Sequence, residues 1–71
     1  LTVDADNDFV IINMGEKDGV ASGSVMSIYH NENYLGDVKL TRVQPDMSAA
    51  DFIPPLSSKT VSKNDRVVTK Q

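Results

Sequence analysis

The 71-residue chain has no cysteine and no tryptophan, and its aromatic residues are two Phe and two Tyr. Without cysteine there is no disulfide framework, no thiolate metal site and no cysteine nucleophile. The core must come from Val, Ile, Leu, Met and the two Phe, at a length close to the lower limit for folding without metals or cross-links. No apolar run approaches the roughly 18 residues that span a bilayer, and no basic-then-apolar targeting segment opens the chain. This segment is therefore not expected to insert directly into a membrane. Basic residues are scarce too. The 7 Lys and Arg stand against 10 Asp and Glu, a net charge of −3, which argues against nucleic acid as a general partner. The start at Leu1 and the end at Gln71 lead to the expectation of one domain over residues 1–71, a C-terminal module cut from a longer protein.

What is present is patterned for strands. Three of the four glycines, Gly15, Gly19 and Gly23, recur every four residues between two β-patterned runs, Phe9–Asn13 and Val25–His30. That regularity describes a connection that turns repeatedly, not a flexible linker. Asp18-Gly19 predicts a turn with Gly19 in the left-handed region, after which Val20 points inward. Phe9–Ile12 forms a short strand buried on both faces. A second strand, Ser24–His30, sets Met26, Ile28 and His30 against Val25, Ser27 and Tyr29. Asn31-Glu32-Asn33 makes a hairpin, because Asn tolerates left-handed backbone. The third strand, Tyr34–Gln44, is long enough to bend, with Gly36 as its bulge site, and Val43 falls out of phase with Val38 and Leu40. Met47–Ile53 is the fourth strand and Arg66–Lys70 the fifth, introduced by Asn64 and Asp65. Pro54 and Pro55 keep the segment up to Ser62 out of any central strand. The expected fold is all-β, a small partly open barrel of about five strands with a glycine-rich connection between the first two.

Phe9–Gly15, Asp18-Gly19-Val20, Gly23-Ser24-Val25, Leu35-Gly36-Asp37-Val38, Ser48-Ala49-Ala50 and Asn64-Asp65-Arg66-Val67 occur in order. This series resembles a group of small bacterial β-domains, among them the β-domains of the MreC cell-shape proteins and the C-terminal domain of the flagellar assembly protein FlgT. The resemblance covers about Val3 to Val68. It implies a non-catalytic interaction or assembly module of a larger envelope-associated protein, with the envelope or periplasm as its compartment. Where the group has glycine before the final Asp, this chain has Asn64, which also visits left-handed backbone.

Motifs for chemistry fall short. Asp4, Asp6 and Asp8 open like a calcium loop, but Phe9 and Gly15 stand where that loop needs Gly and Glu. His30, the only histidine, has no motif linking it to a nucleophile. Asp46 and Asp51 are an acid–base pair only if a cleft exists, and a chain of this size leaves little room for one. The three glycines are not followed by the Lys-Ser/Thr of a phosphate loop. Hence neither catalytic, metal nor cofactor-binding residues are assigned, and no cofactor or small-molecule substrate is expected. Gly15, Asp18, Gly19, Gly23, Gly36, Asn64 and Asp65 are assigned to turns. Tyr29, Tyr34, Leu35, Lys59, Lys63 and Arg66 are the candidate interaction surface, for a protein partner or self-association. Residues 1–38 carry a net charge of −6 and residues 39–71 carry +3, so complementary surfaces would steer association between copies. The alternative is a nucleic-acid-binding barrel of the OB or SH3-like kind, for which Tyr29 and Tyr34 would be stacking residues.

Overall fold

Val10 and Ile12 are buried while Phe9 and Ile11 are half-exposed, so the strand Phe9–Ile12 has one core face rather than the two expected. The same alternation runs through the computed structural model, which describes residues 1–70. Among the described residues six strands are present: β1 (Thr2–Asp4), β2 (Phe9–Ile12), β3 (Val25–His30), β4 (Asn33–Val43), β5 (Ser48–Phe52) and β6 (Arg66–Thr69). The all-β expectation holds, with one strand more than the five predicted. All pairings are antiparallel, in the order β1-β2-β5-β4-β3-β6, and the sheet curls into a half-barrel. The additional strand is β1. Its three residues are too few to show a period, and the run of aspartates after it masked the hairpin. There Asp4 accepts hydrogen bonds from the Asn7 backbone N–H and side-chain amide, both at 3.1 Å, and Asp8 takes left-handed backbone at φ 56°.

The concave side holds the core, in which Val10, Ile12, Met26, Ile28, Val38, Leu40, Ala50 and Phe52 meet. Two register shifts shape β4. Ile28 pairs with Gly36 but Tyr29 with Tyr34, and Leu40 pairs with Ala50 but Arg42 with Ala49. Leu35 and Thr41 are the extra residues, and each resets which side chains face inward. The second shift is what puts Val43 out of phase with Leu40.

Gly15 is extended, not left-handed, and is buried for another reason. A Cβ there would lie 2.1 Å from the Gln44 carbonyl oxygen, because the single 3₁₀ turn Glu16–Asp18 docks on the β4–β5 turn through Glu16 and Lys17 N–H groups. Asp18 closes that turn by accepting the Gly15 N–H at 3.0 Å. Gly19 has φ of 84° as expected, Gly23 is left-handed too at 92°, and Val20 between them is buried. Asn31 is left-handed at φ 58° in the two-residue β3–β4 turn. Asn64, by contrast, lies outside the left-handed region. The turn there is closed by Asp65, whose N–H donates to Ser62 O at 3.0 Å while its carboxylate accepts the Ser62 N–H at 2.8 Å, so no left-handed residue is needed.

The crossover from β5 to β6 passes over the open side of the half-barrel. Leu56 and Val61 drop into the core from it, and the Ser58 N–H donates to Asp8 Oδ1 at 3.2 Å. Leu56 occupies the space above Gly36, where a Cβ would come within 2.8 Å of the Leu56 Cβ. The segment thus covers the open side, with β1 and β6 still the outermost strands of the sheet.

Candidate functional site

The bulge in β4 builds the most organised surface feature. In an unbroken strand Tyr34 and Gly36 would share a face and Asp37 would oppose them. With Leu35 inserted, Tyr34 and Asp37 both face outward and the Tyr34 hydroxyl donates to Asp37 Oδ1 at 2.7 Å. Leu35 is turned inward and packs on the core, so it does not join the contact patch assigned to it. From β3, Ser27 Oγ donates to the same Oδ1 at 3.0 Å, and Lys70, just past β6, reaches Asp37 Oδ2 at 2.6 Å. Three neighbouring strand regions therefore converge on one carboxylate.

The aromatic residues sit beside it. Tyr29 and Tyr34 face each other across β3 and β4 with ring centroids 5.5 Å apart and planes at 59°. The Arg66 guanidinium, opposite Tyr29 on β6, lies 5.4 Å from that ring's centroid, and the Lys70 ammonium lies 5.8 Å from that of Tyr34. Tyr34 is 53% exposed. Hydrogen bonds from Lys70 first and Tyr34 second hold the Asp37 carboxyl below the usual aspartate range. The same bonds push the Tyr34 hydroxyl and the Lys70 ammonium upward. At neutral pH Asp37 is thus a carboxylate, Lys70 an ammonium and Tyr34 a neutral ring, with Tyr29 and Arg66 beside them.

A second polar pair lies at the far end of β3. His30 Nδ1 and Asp65 Oδ1 are 2.6 Å apart, with the histidine side chain 56% exposed and the aspartate 1%. Burial pushes the Asp65 carboxyl up, but the Ser62 N–H and His30 together bring it below its ordinary value. Asp65 is therefore both the turn residue expected and an anchor tying the β3–β4 hairpin to the start of β6.

On the other half of the convex face, Phe9, Ile11, Met47 and Ala49 line a shallow depression of about 330 Å³ with Arg42, Gln44 and Ser48 at its rim. Met47 is 41% exposed.

Of the residues expected to form the interaction surface, the structure gathers Tyr29, Tyr34 and Arg66. Lys59 and Lys63 lie exposed on the crossover and make no ion pair among the described residues. Asp37, Lys70 and Ser27 belong to the cluster and were not foreseen, since only the bulge and the strand order bring them together. A Gly two residues after a Tyr and one before an Asp on a predicted bent strand was the available signal. Asp46 and Asp51 do not approach as a pair: Asp46 is in the β4–β5 turn, and Asp51 pairs with Phe9 and Lys39 in register. Among the described residues no group of three or more His, Cys, Asp or Glu is placed to hold a metal ion. No family model, curated protein or solved structure matches the chain.

Proposed function

We propose that this chain is a non-catalytic protein-interaction module that works by strand addition at the β6 edge. The observation that carries the reading is the position of β6. It ends the sheet, with one side paired to β3 and its convex face flanked by Arg66 and the two tyrosines. A sheet edge offers main-chain donors and acceptors to an extended segment, while neighbouring side chains set which segment is taken. Tyrosine supplies contact area with little loss of side-chain freedom, and arginine, otherwise costly to order, is here already held over the Tyr29 ring. The setting in a larger bacterial envelope-associated protein is supported by the resemblance to envelope β-domains.

Extended peptides selected from a random library against the immobilised domain test this directly when titrated into ¹⁵N-labelled protein. The expected result is displaced amide resonances concentrated on Val67 to Thr69, with the Tyr29 and Tyr34 signals following. Selection that yields no binders, or binders mapping elsewhere, overturns the reading.

One observation favours a second reading. Two tyrosines with Arg66 and Lys70 beside them resemble a stacking platform for single-stranded nucleic acid. Lys70, however, is already paired with Asp37. Binding of a homopyrimidine oligonucleotide that weakens steeply with salt and is lost in Tyr34→Ala would support this reading over the first.

A further inference from the structure

The sheet has two free edges, and they differ in charge. The strand order interleaves the acidic and basic halves of the chain in the middle, where β5 and β4 lie between β2 and β3, but separates them at the rims. At the β1 rim are Asp4, Asp6 and Asp8, with no Lys or Arg between Leu1 and Phe9. At the β6 rim are Lys63 and Arg66, with Lys70 paired to Asp37; Asp65, the one acid between Lys63 and Lys70 in the chain, is buried against His30.

We infer that the occupant of the β6 edge is the β1 edge of a second copy of this chain, so that copies add head to tail into one continued sheet. This rests on the strand-addition reading above and names its partner. Three features select that contact. First, the Lys70 N–H donates to Val25 O on β3 at 3.2 Å. Antiparallel alternation then turns the N–H and C=O groups of Val67 and Thr69 away from β3, toward the free side. Second, the sheet has six strands in strict antiparallel alternation. An even number means that a copy in the same orientation presents its β1 antiparallel to β6, so the alternation continues without a break.

Third, that arrangement sets the end of β1 carrying Asp4, followed by Asp6, beside the start of β6, where Lys63 and Arg66 lie. Of the two symmetric alternatives, antiparallel β6 against β6 sets Arg66 beside Thr69 and Lys70, and β1 against β1 sets Asp4 beside Thr2, so neither brings the aspartates against the bases. A head-to-tail contact is heterologous and propagates until it closes into a ring or runs on as a filament. With strands of three and four residues, each contact is weak, and association is expected only at roughly millimolar protein.

Sedimentation velocity of the full chain over a concentration series, at low and high salt, tests this with two exposed substitutions, Asp6→Lys and Lys63→Glu. The wild type is expected to associate with rising concentration and to do so several-fold more weakly at high salt. Each variant alone should remain monomeric with an unchanged melting temperature. Their equimolar mixture should associate again, because each of its two mixed contacts is complementary. A wild type that stays monomeric throughout, variants that associate like the wild type, or a mixture that does not recover overturns the inference. If self-association fails while selected peptides still bind at Val67 to Thr69, only the second copy is excluded as the partner. If the peptides fail as well, strand addition falls with it.

Discussion

The two halves of the convex face solve the same problem in opposite ways. Where β4, β3 and β6 meet, each polar side chain is already answered by another: Asp37 by Tyr34, Ser27 and Lys70, and the tyrosine rings by each other and by two cations. Where β2, β5 and β4 meet, Phe9, Ile11 and Met47 line an apolar depression with only Arg42, Gln44 and Ser48 around it. The first region is held in one geometry by directional bonds crossing three strand regions. The second is held only by the backbone beneath it. A preordered surface loses less freedom when it binds, which is why the proposed interaction is placed on the β3–β4–β6 region and its adjoining edge.

The difference is easiest to break at the bulge. Gly36→Ala should destabilise the fold by about 1–3 kcal/mol, because the new Cβ meets Leu56 and the small-to-large change has no room to relax. For a chain of this length that corresponds to a fall in melting temperature of roughly 4–8 °C per kcal/mol, read by thermal melting followed by circular dichroism. The Tyr34–Asp37 bond should weaken along with it, since the bulge is what places both outward. An unchanged melting temperature would mean that Leu56 does not define the bulge.

Acid sharpens the comparison next. Both Asp37 and Asp65 lie below the usual aspartate range when folded. Their contribution to stability is therefore full above the unfolded value of about 4 and is lost as pH falls through the lowered folded values. Melting temperature should drop over that interval, and Asp37→Asn should flatten part of the drop by lowering stability at neutral pH by the same modest amount, modest because the Lys70 and Tyr34 partners are solvated. An Asp37→Asn profile superimposable on the wild type would remove the carboxylate from its assigned place.

The apolar region should respond least. Met47→Ser is expected to alter stability by no more than about 0.5 kcal/mol, measured by urea unfolding, because Met47 is exposed at the surface and rests on half-exposed neighbours. A larger loss would show that Met47 packs as core and that the two regions are less different than their chemistry indicates.

Much of this was written locally. The alternation in Val25–His30 and in Ser48–Phe52, the left-handed Gly19 and Asn31, and the phase break before Val43 all follow from neighbouring residues, because strand period and turn conformation are short-range properties. β1 escaped because three residues show no period. Leu35, expected on the contact patch beside Tyr34, turns inward because it is the extra residue of the bulge. Nothing in the local pattern of Lys70 or Ser27 announces Asp37 as their shared partner, since Ser27 is 10 residues away from it and Lys70 is 33.

By itself, then, the sequence determined the secondary-structure class, the turns and which face of most strands is apolar, all set by covalent geometry and by the solvation of adjacent side chains. The tertiary structure alone decided the strand order. That order put the acidic β1 and the basic β6 at opposite rims and gathered Tyr29, Tyr34, Asp37, Arg66 and Lys70 on one face. The physical reason is that strand order is chosen by burying the whole core at once, with Leu56 and Val61 closing its open side. No single segment carries the information about which distant segment it will lie beside.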